Sequence, residues 1–410
     1  MPAPSPVLLP ASLAQVDPFV QMIVAGQLVI LPTETVYAIA VNLREPESRQ
    51  RLGQIKGWQM GGRVGGGTPV GPPTPWVLHL GDPWSLREWF FPDLFPLAIR
   101  IIRRGLPGPI ALELPVLSDD LERFQRLLGD VWPEVLHGGE AGRAWATFRI
   151  PEQTITQAVL EGVWRRGVPV ALVGVSGSLG AAGGSLGRVL SGDGGDVLSQ
   201  VPNLADHVAA VLDAGPPRYH KPSTLVRVTP ERAQVLRAGV FDERIIQRLA
   251  QTLILFVCTG NTCRSPMAAA LARHVLAQRF ETTPAGLAKR NILVESAGLH
   301  ACAGTHATPE AQDAVRSVLG SQKNGGGDLA AHAAQQISKE LLQRADVIFT
   351  MTDAQRDEIL HFWPAAAAKT YRLDPAGDVE DPIGGDESLY RQVAERLQAV
   401  LWTRLNEIRL

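Results

Sequence analysis

Cysteine is scarce in this chain of 410 residues, which has three: Cys258, Cys263 and Cys302. Two of them fall within one short stretch. No disulfide framework can be built from such a set, and a reducing compartment is expected. Charge asymmetry is also lacking. Lysine and arginine number 39 against 41 aspartates and glutamates, a formal net charge of −2, so there is no global pull toward nucleic acid or a membrane surface. No apolar run approaches the ~20 residues of a membrane helix. The opening MPAPSPVLLPASLAQ holds no basic leader, so no signal peptide and a cytoplasmic location are expected. The apolar share of 45% and charged share of 20% are ordinary and suffice for full globular cores. The length suggests two or three domains. Glycine and proline cluster: the tract 61–75 holds six Gly and four Pro and reads as a loop or low-order insertion.

The sharpest chemical signal is Leu253-Ile-Leu-Phe-Val-Cys258-Thr-Gly-Asn-Thr-Cys263-Arg264-Ser265-Pro266. Its apolar run reads as a buried strand ending on Cys258. Gly260 and Asn261 suit a turn. A helix is expected to start at Pro266, which has no N–H to lose at a first helical position. Ser265 stands where a cap would stand, and the Ala- and Leu-rich 267–280 favours helix. Outward-facing N–H groups at such a helix N-terminus form an anion site. Arg264 can clamp two oxygens of a tetrahedral anion in a fork. The same positive field favours a thiolate at Cys258, a nucleophile toward bound phosphorus. The chemistry is phosphoryl transfer to sulfur followed by hydrolysis. A merely structural cysteine on a strand leaves the Gly-Asn turn, the arginine and the Ser-Pro unexplained.

The stretch closely resembles the signature of low-molecular-weight protein tyrosine phosphatases. The resemblance implies Cys258 as nucleophile and Arg264 as anion clamp. Thr259, Gly260, Asn261, Thr262, Cys263 and Ser265 would form the phosphate loop and its support, with the Ser265 hydroxyl donated to the thiolate. Ser296, in Glu-Ser-Ala-Gly298, and His332, in Asp328-Leu-Ala-Ala-His, would be hydrogen-bonded partners of Asn261. A general acid must protonate the leaving group. Of two Asp-Pro pairs, Asp381-Pro382 lies in a Gly-bearing loop of the family's form, so Asp381 is assigned, and Asp374 is read as a loop or cap residue. Asp381 would then activate water against the phosphocysteine. Cys263 would either pair with Cys258 on oxidation or simply fit a tight loop. His300, Cys302 and His306 lack a metal-ligand spacing, so no metal is expected, nor any cofactor for this half. The substrate would be a phosphorylated protein. Ile383, Gly384 and Gly385 replace the aromatics that tyrosine-specific members place after the Asp-Pro. With Thr262, they resemble the bacterial protein-arginine phosphatase branch, so phosphoarginine ranks slightly above phosphotyrosine. Arsenate reduction, with Cys302 as relay, stays an alternative.

Strands are expected at 253–257, 292–295, 346–351 and 369–373, and helices at 338–344, 354–362 and 389–408. Alternation of short apolar strands with helices means a doubly wound, four-stranded parallel sheet, with its ligand at the carboxyl ends of the strands. A charged, helical connector at 241–251 puts the boundary near 248, giving domains 1–248 and 249–410.

The first domain is also read as α/β. Strand-like pieces lie at 26–32, 76–80, 110–114, 146–150, 168–175 and 223–228, with helices such as 120–128 and 155–166 between them. LPTETVYAIA at 31–40, GLPGPIALEL at 105–114, FRIP at 148–151, KPSTLVRV at 221–228 and VLRAGVF at 235–241 resemble the YrdC family of threonylcarbamoyl-adenylate synthases. The resemblance implies a twisted open α/β sheet. Its concave face would bind ATP, with magnesium, and L-threonine, and make threonylcarbamoyl-adenylate from bicarbonate for tRNA modification. Thr33, Thr35, Lys56, Arg149 and Ser223 would form that site, Lys56 and Arg149 holding triphosphate oxygens. Two departures stand out. Trp58 replaces an arginine, and Val173-Gly-Val-Ser-Gly-Ser178 replaces a Thr-Ser-Ala-Asn segment. Three readings stay open: a synthase, a nucleotide- or RNA-binding module, or a scaffold for the phosphatase.

Overall fold

The computed structural model describes residues 6–56, 75–138, 144–175, 193–200, 204–320 and 329–408. Trp58, the tract 61–74, Ser176 to Ser178 and Asp328 lie outside the described residues. The chain divides into two compact units, Met1–Ala250 and Gln251–Leu410.

The first unit is a mixed α/β body around one open sheet. Its strands in chain order are Val7–Pro10 (β1), Leu28–Leu31 (β2), Ala38–Asn42 (β3), Val77–His79 (β4), Ile110–Val116 (β5), His137–Gly138 (β6), Ala144–Arg149 (β7), Val170–Gly174 (β8), Val208–Asp213 (β9), Thr224–Val228 (β10) and Ala233–Arg237 (β11). They run in the order β1-β9-β2-β3-β8-β4-β7-β5-β10-β11, with β6 added against β7. Parallel pairs (β1 with β9, β5 with β10) are mixed with antiparallel ones (β2 with β3, β5 with β7). The expected pieces at 26–32, 76–80, 110–114, 146–150, 168–175 and 223–228 contain or overlap β2, β4, β5, β7, β8 and β10. β1, β3, β6, β9 and β11 go beyond these six pieces. β3 follows the 32–37 loop and folds back on β2 with Ile39 opposite Ile30. Phe90, Phe124 and Phe148 pack edge-on or tilted at 4.9–6.2 Å in the core, which orients β7 and so the Arg149 at its end.

Among the described residues the second unit is built on four parallel strands, Thr252–Cys258 (β12), Ile292–Gly298 (β13), Val347–Thr350 (β14) and Thr370–Arg372 (β15), in the order β13-β12-β14-β15. The doubly wound sheet anticipated from the alternation is present. Every residue of β12 is buried, the mark of a central parallel strand covered on both faces. Helices Asp353–Phe362 and Glu387–Glu407 begin slightly ahead of their expected starts, each capped by the residue before it: Thr352 receives the Gln355 N–H, and Asp386 receives the Leu389 N–H.

The expected start of the helix after Cys258 needs correction. It runs Arg264–Arg279 with Cys263 at its N-cap, so it begins two residues before Pro266, and Ser265 is not a cap. The serine hydroxyl is used elsewhere, against the Cys258 sulfur. Ala268, Ala269, Ala270 and Ala272 are buried, and small side chains let this helix lie close on the sheet. Gly298 serves the same closeness at the end of β13. A Cβ there would meet the Thr259 carbonyl oxygen at 2.6 Å and the Asn261 nitrogen at 3.0 Å, so only glycine lets the loop after Cys258 approach β13 this tightly.

Candidate active site

β12 delivers Cys258 to the carboxyl end of the sheet, where the chain turns through Thr259 to Cys263 into the helix. The turn depends on Asn261, which is fully buried and holds a left-handed φ of 58°, a conformation asparagine tolerates better than most residues. Its backbone N–H donates to Cys258 Sγ at 3.2 Å, and Ser265 Oγ lies 3.0 Å from the same sulfur. The Asn261 side chain fastens the loop. Nδ2 donates to Ser265 Oγ at 2.8 Å and to Ser296 Oγ at 2.9 Å, and Oδ1 accepts the Gln335 N–H at 3.0 Å. His332 lies with Nε2 2.8 Å from the backbone carbonyl of Asn261, not from its side chain. Burial lowers the His332 pKa below the ordinary value, with Arg273 and His306 adding in the same direction against the Asn261 carbonyl; a neutral ring donating from Nε2 fits this environment.

Arg264 is buried, and its guanidinium donates to the Val379 carbonyl at 3.2 Å and pairs with the Asp381 carboxylate. The Asp381 side chain is 43% exposed, at the rim of the space that Cys258 and Arg264 bracket. Asp374 stands apart. It is buried, accepts the Ala376 N–H at 2.8 Å and pairs with Arg396 at 2.8 Å. Cys263 Sγ lies 3.5 Å from the Tyr390 hydroxyl and 3.7 Å from Thr308 Oγ1. Burial and the contact with Cys263 push Tyr390 up to about 12, so it keeps its proton near neutral pH. Thr259 is exposed and Gly260 and Thr262 half-buried, with the Thr262 carbonyl receiving the Thr308 N–H at 3.1 Å. Cys302 is exposed on the loop after β13; His300 pairs there with Glu358 at 3.1 Å, and His306 Nδ1 lies 3.1 Å from the His332 carbonyl.

A second set of residues gathers in the first unit. Thr33 and Thr35 share a hydroxyl–hydroxyl contact of 3.0 Å, and Arg149 donates to Thr35 Oγ1 at 2.7 Å and to Glu34 at 2.8 Å. Ser223 lies beside Arg237, whose guanidinium reaches its carbonyl at 3.2 Å. Burial and the like charge of Arg149 together lower the Arg237 pKa. Lys56 Nζ donates to the Gly174 carbonyl at 2.7 Å, and burial pushes it down to about 8. With Glu34 as the carboxylate paired to Arg149, the set keeps a surplus of positive charge suited to an anionic ligand. Glu34, Arg237, Gln335 and Gln355 are functional candidates absent from the sequence reading. Arg237 sits inside the quoted VLRAGVF and Gln355 closes a capping box, Thr352-Asp-Ala-Gln355, but no motif points to Gln335, whose backbone N–H reaches Asn261 across 74 positions.

Comparison with known proteins follows the same division. The family described as low molecular weight phosphotyrosine protein phosphatase matches residues 253–409, and the Sua5, YciO and YrdC family, described as telomere recombination, matches residues 21–239. A protein-arginine-phosphatase of Geobacillus stearothermophilus is 35% identical over 153 residues, 36% of this chain and 90% of that protein. The low molecular weight protein-tyrosine-phosphatase Ptp of Acinetobacter johnsonii is 30% identical over 155 residues, 37% of this chain and 95% of that protein. A crystal structure of a YwlE mutant from Bacillus subtilis is 30% identical, covers 39% of this chain and 100% of its own, and has a TM-score of 0.33.

Proposed function

We propose, from the premise that the chain belongs to the low molecular weight phosphotyrosine protein phosphatase family at residues 253–409 and to the Sua5, YciO and YrdC family at residues 21–239, that its C-terminal half dephosphorylates proteins through a phosphocysteine. The phosphate of the substrate enters the loop after β12, with two oxygens on the Arg264 fork and the others on loop amides. Cys258 attacks phosphorus, the bond to the leaving oxygen or nitrogen breaks, and Asp381 supplies the proton that the leaving atom requires. Asp381, then a base, takes a proton from the water that splits the phosphocysteine and frees phosphate. Asn261, Ser265, Ser296 and His332 hold the loop in place. The observation that carries this reading is the Cys258 sulfur at the end of β12, receiving the Asn261 N–H and facing Ser265, with Arg264 and Asp381 paired at the same mouth. Replacing Cys258 with Ser and assaying an aryl phosphate tests it; undiminished turnover rejects it. Phosphoarginine is the preferred substrate, supported by the likeness to protein-arginine-phosphatases and by Thr262, Ile383 and the paired glycines after Pro382.

For the N-terminal half the reading is nucleotide binding, with threonylcarbamoyl-adenylate synthesis as its activity. Lys56, Arg149 and Arg237 would hold the phosphates of ATP with its magnesium; Thr33, Thr35 and Ser223 would orient L-threonine and the nucleotide. The surplus of positive charge at Arg149 and Arg237 fits that anion. ATP would supply the adenylate. Formation of threonylcarbamoyl-adenylate from ATP, bicarbonate and L-threonine by the full chain tests the synthase. Binding of ATP or RNA without turnover would leave a binding module, and no binding of either would reject both.

A further inference from the structure

Thr259 follows the Cys258 sulfur directly and is exposed, yet it is held from both sides. Its carbonyl accepts the His300 N–H at 2.9 Å. Its hydroxyl accepts from Gln355 Nε2 at 3.1 Å. Gln355 is only 5% exposed, and its amide has a fixed sense: Oε1 takes the Met351 N–H at 3.0 Å and the Thr352 N–H at 3.2 Å, which leaves the nitrogen toward Thr259. A buried amide thus fixes an exposed hydroxyl beside the nucleophile. A hydroxyl has one donor and two acceptor sites. Gln355 occupies one acceptor site, so one lone pair and the hydrogen remain for whatever enters the mouth.

We propose that Thr259 is a specificity-determining residue for the group attached to phosphorus, with Gln355 as its positioning residue, and that the pair favours a phosphoguanidinium over an aryl phosphate. This rests on the phosphatase reading above. A phosphoguanidinium carries an N–H on the atom bonded to phosphorus, which the remaining Thr259 lone pair can accept; an aryl ester has there an oxygen with no hydrogen to donate. A site built to hydrogen-bond a substrate group discriminates against a substrate that lacks it.

The test is the ratio of kcat/KM for a phosphoarginine peptide to that for a phosphotyrosine peptide of the same sequence, measured on the full chain. Thr259→Val, nearly isosteric but without the hydroxyl, lowers the ratio about tenfold, the scale of one hydrogen bond. Thr259→Ser restores it to within about twofold of the unsubstituted chain. Gln355→Leu, which leaves Thr259 in place but unfixed, lowers the ratio in the same direction. A general structural defect would reduce both rates together and leave the ratio unmoved. Turnover of both peptides with a ratio unmoved by Thr259→Val overturns this inference alone; no turnover of either peptide by the unsubstituted chain overturns the phosphatase reading and this inference with it.

Discussion

Asn261→Ala is the most searching perturbation of the loop, because it leaves the thiol, the arginine and the acid untouched. The substitution removes three side-chain hydrogen bonds, to Ser265, Ser296 and the Gln335 N–H. At about 0.5–1.5 kcal/mol each, the loss is roughly 1.5–4.5 kcal/mol. Alanine at a φ of 58° adds about 1 kcal/mol of backbone strain that asparagine largely escapes. The total, roughly 2.5–5.5 kcal/mol, approaches the lower end of the whole stability of a small domain, about 5–15 kcal/mol. The loop is therefore expected to leave its present conformation before the unit unfolds. If the competent conformation loses 3 kcal/mol, kcat/KM for an aryl phosphate falls on the order of 150-fold. Asn261→Gly removes the same bonds without the strain, so its loss should be smaller by about fivefold, the equivalent of about 1 kcal/mol. Both variants should also lower the thermal transition that added phosphate raises, since that transition belongs to the phosphate-binding unit. An alanine variant that keeps kcat/KM within about threefold would refute the claim that this amide holds the loop.

Other perturbations probe different parts of the account. Gly298→Ala places a methyl 2.6 Å from the Thr259 carbonyl oxygen; phosphatase kcat/KM should fall by about 5- to 150-fold, the equivalent of overpacking costs of about 1–3 kcal/mol, and a variant with unchanged kinetics would show that the loop does not need its closeness to β13. Asp381→Asn should lower kcat by about 10²–10⁴-fold for a poor leaving group, the range of general acid catalysis, and far less for nitrophenyl phosphate. Inorganic phosphate should bind the same variant more tightly, since a negative charge paired to Arg264 is removed, and weaker phosphate binding would contradict the competition. In the first unit, burial lowers Lys56 from the ordinary 10.5 to about 8. The unfolded chain therefore binds more protons between those values, so stability should rise with pH across that window, while ATP affinity falls as pH passes 8 and the lysine loses its charge. Lys56→Met should flatten both trends in urea unfolding and ATP titration, and a wild-type affinity that stays level from pH 7 to 9 would exclude Lys56 from the nucleotide site.

Much of the second unit was legible because its signals are local. An apolar run without alternation marks a central parallel strand, and β12 is buried at every position. Cys258, Arg264 and Asp381 could be named from one loop and one Asp-Pro. The helix start was misplaced because Pro266 and Ser265 carry strong positional preferences that tertiary context overrode. Ser265 faces the Cys258 sulfur, and the cap position falls to Cys263, which makes no side-chain capping bond. In the first unit β1, of four residues, and β6, of two, escaped because so few residues show no period. The longer β3 and β9 escaped as well; β9 takes its place between β1 and β2, strands far back along the chain.

What sequence could not supply is the layer that holds the reactive groups still. Gln335 is an ordinary residue in its local window, and Gln355 shows there only as the last residue of a capping box, with no sign of its contact to Thr259. One gives its backbone N–H to Asn261 Oδ1 and its amide to the Ser296 carbonyl at 2.9 Å; the other ties Met351 and Thr352, just after β14, to Thr259. The Gln335 bond to Asn261 and the Gln355 bond to Thr259 each join segments more than 70 positions apart, so they exist only once β12, β13 and β14 stand side by side. The reactive groups have a chemistry that only a few side chains can perform, which narrows them from a motif alone. A buried donor or acceptor needs only a partner of the right sense at about 3 Å, and many side chains on many elements satisfy that. The loop is thus specified twice, locally by the left-handed asparagine and globally by glutamines from two other segments. Loss of either glutamine should disturb the loop without removing any group that touches phosphate.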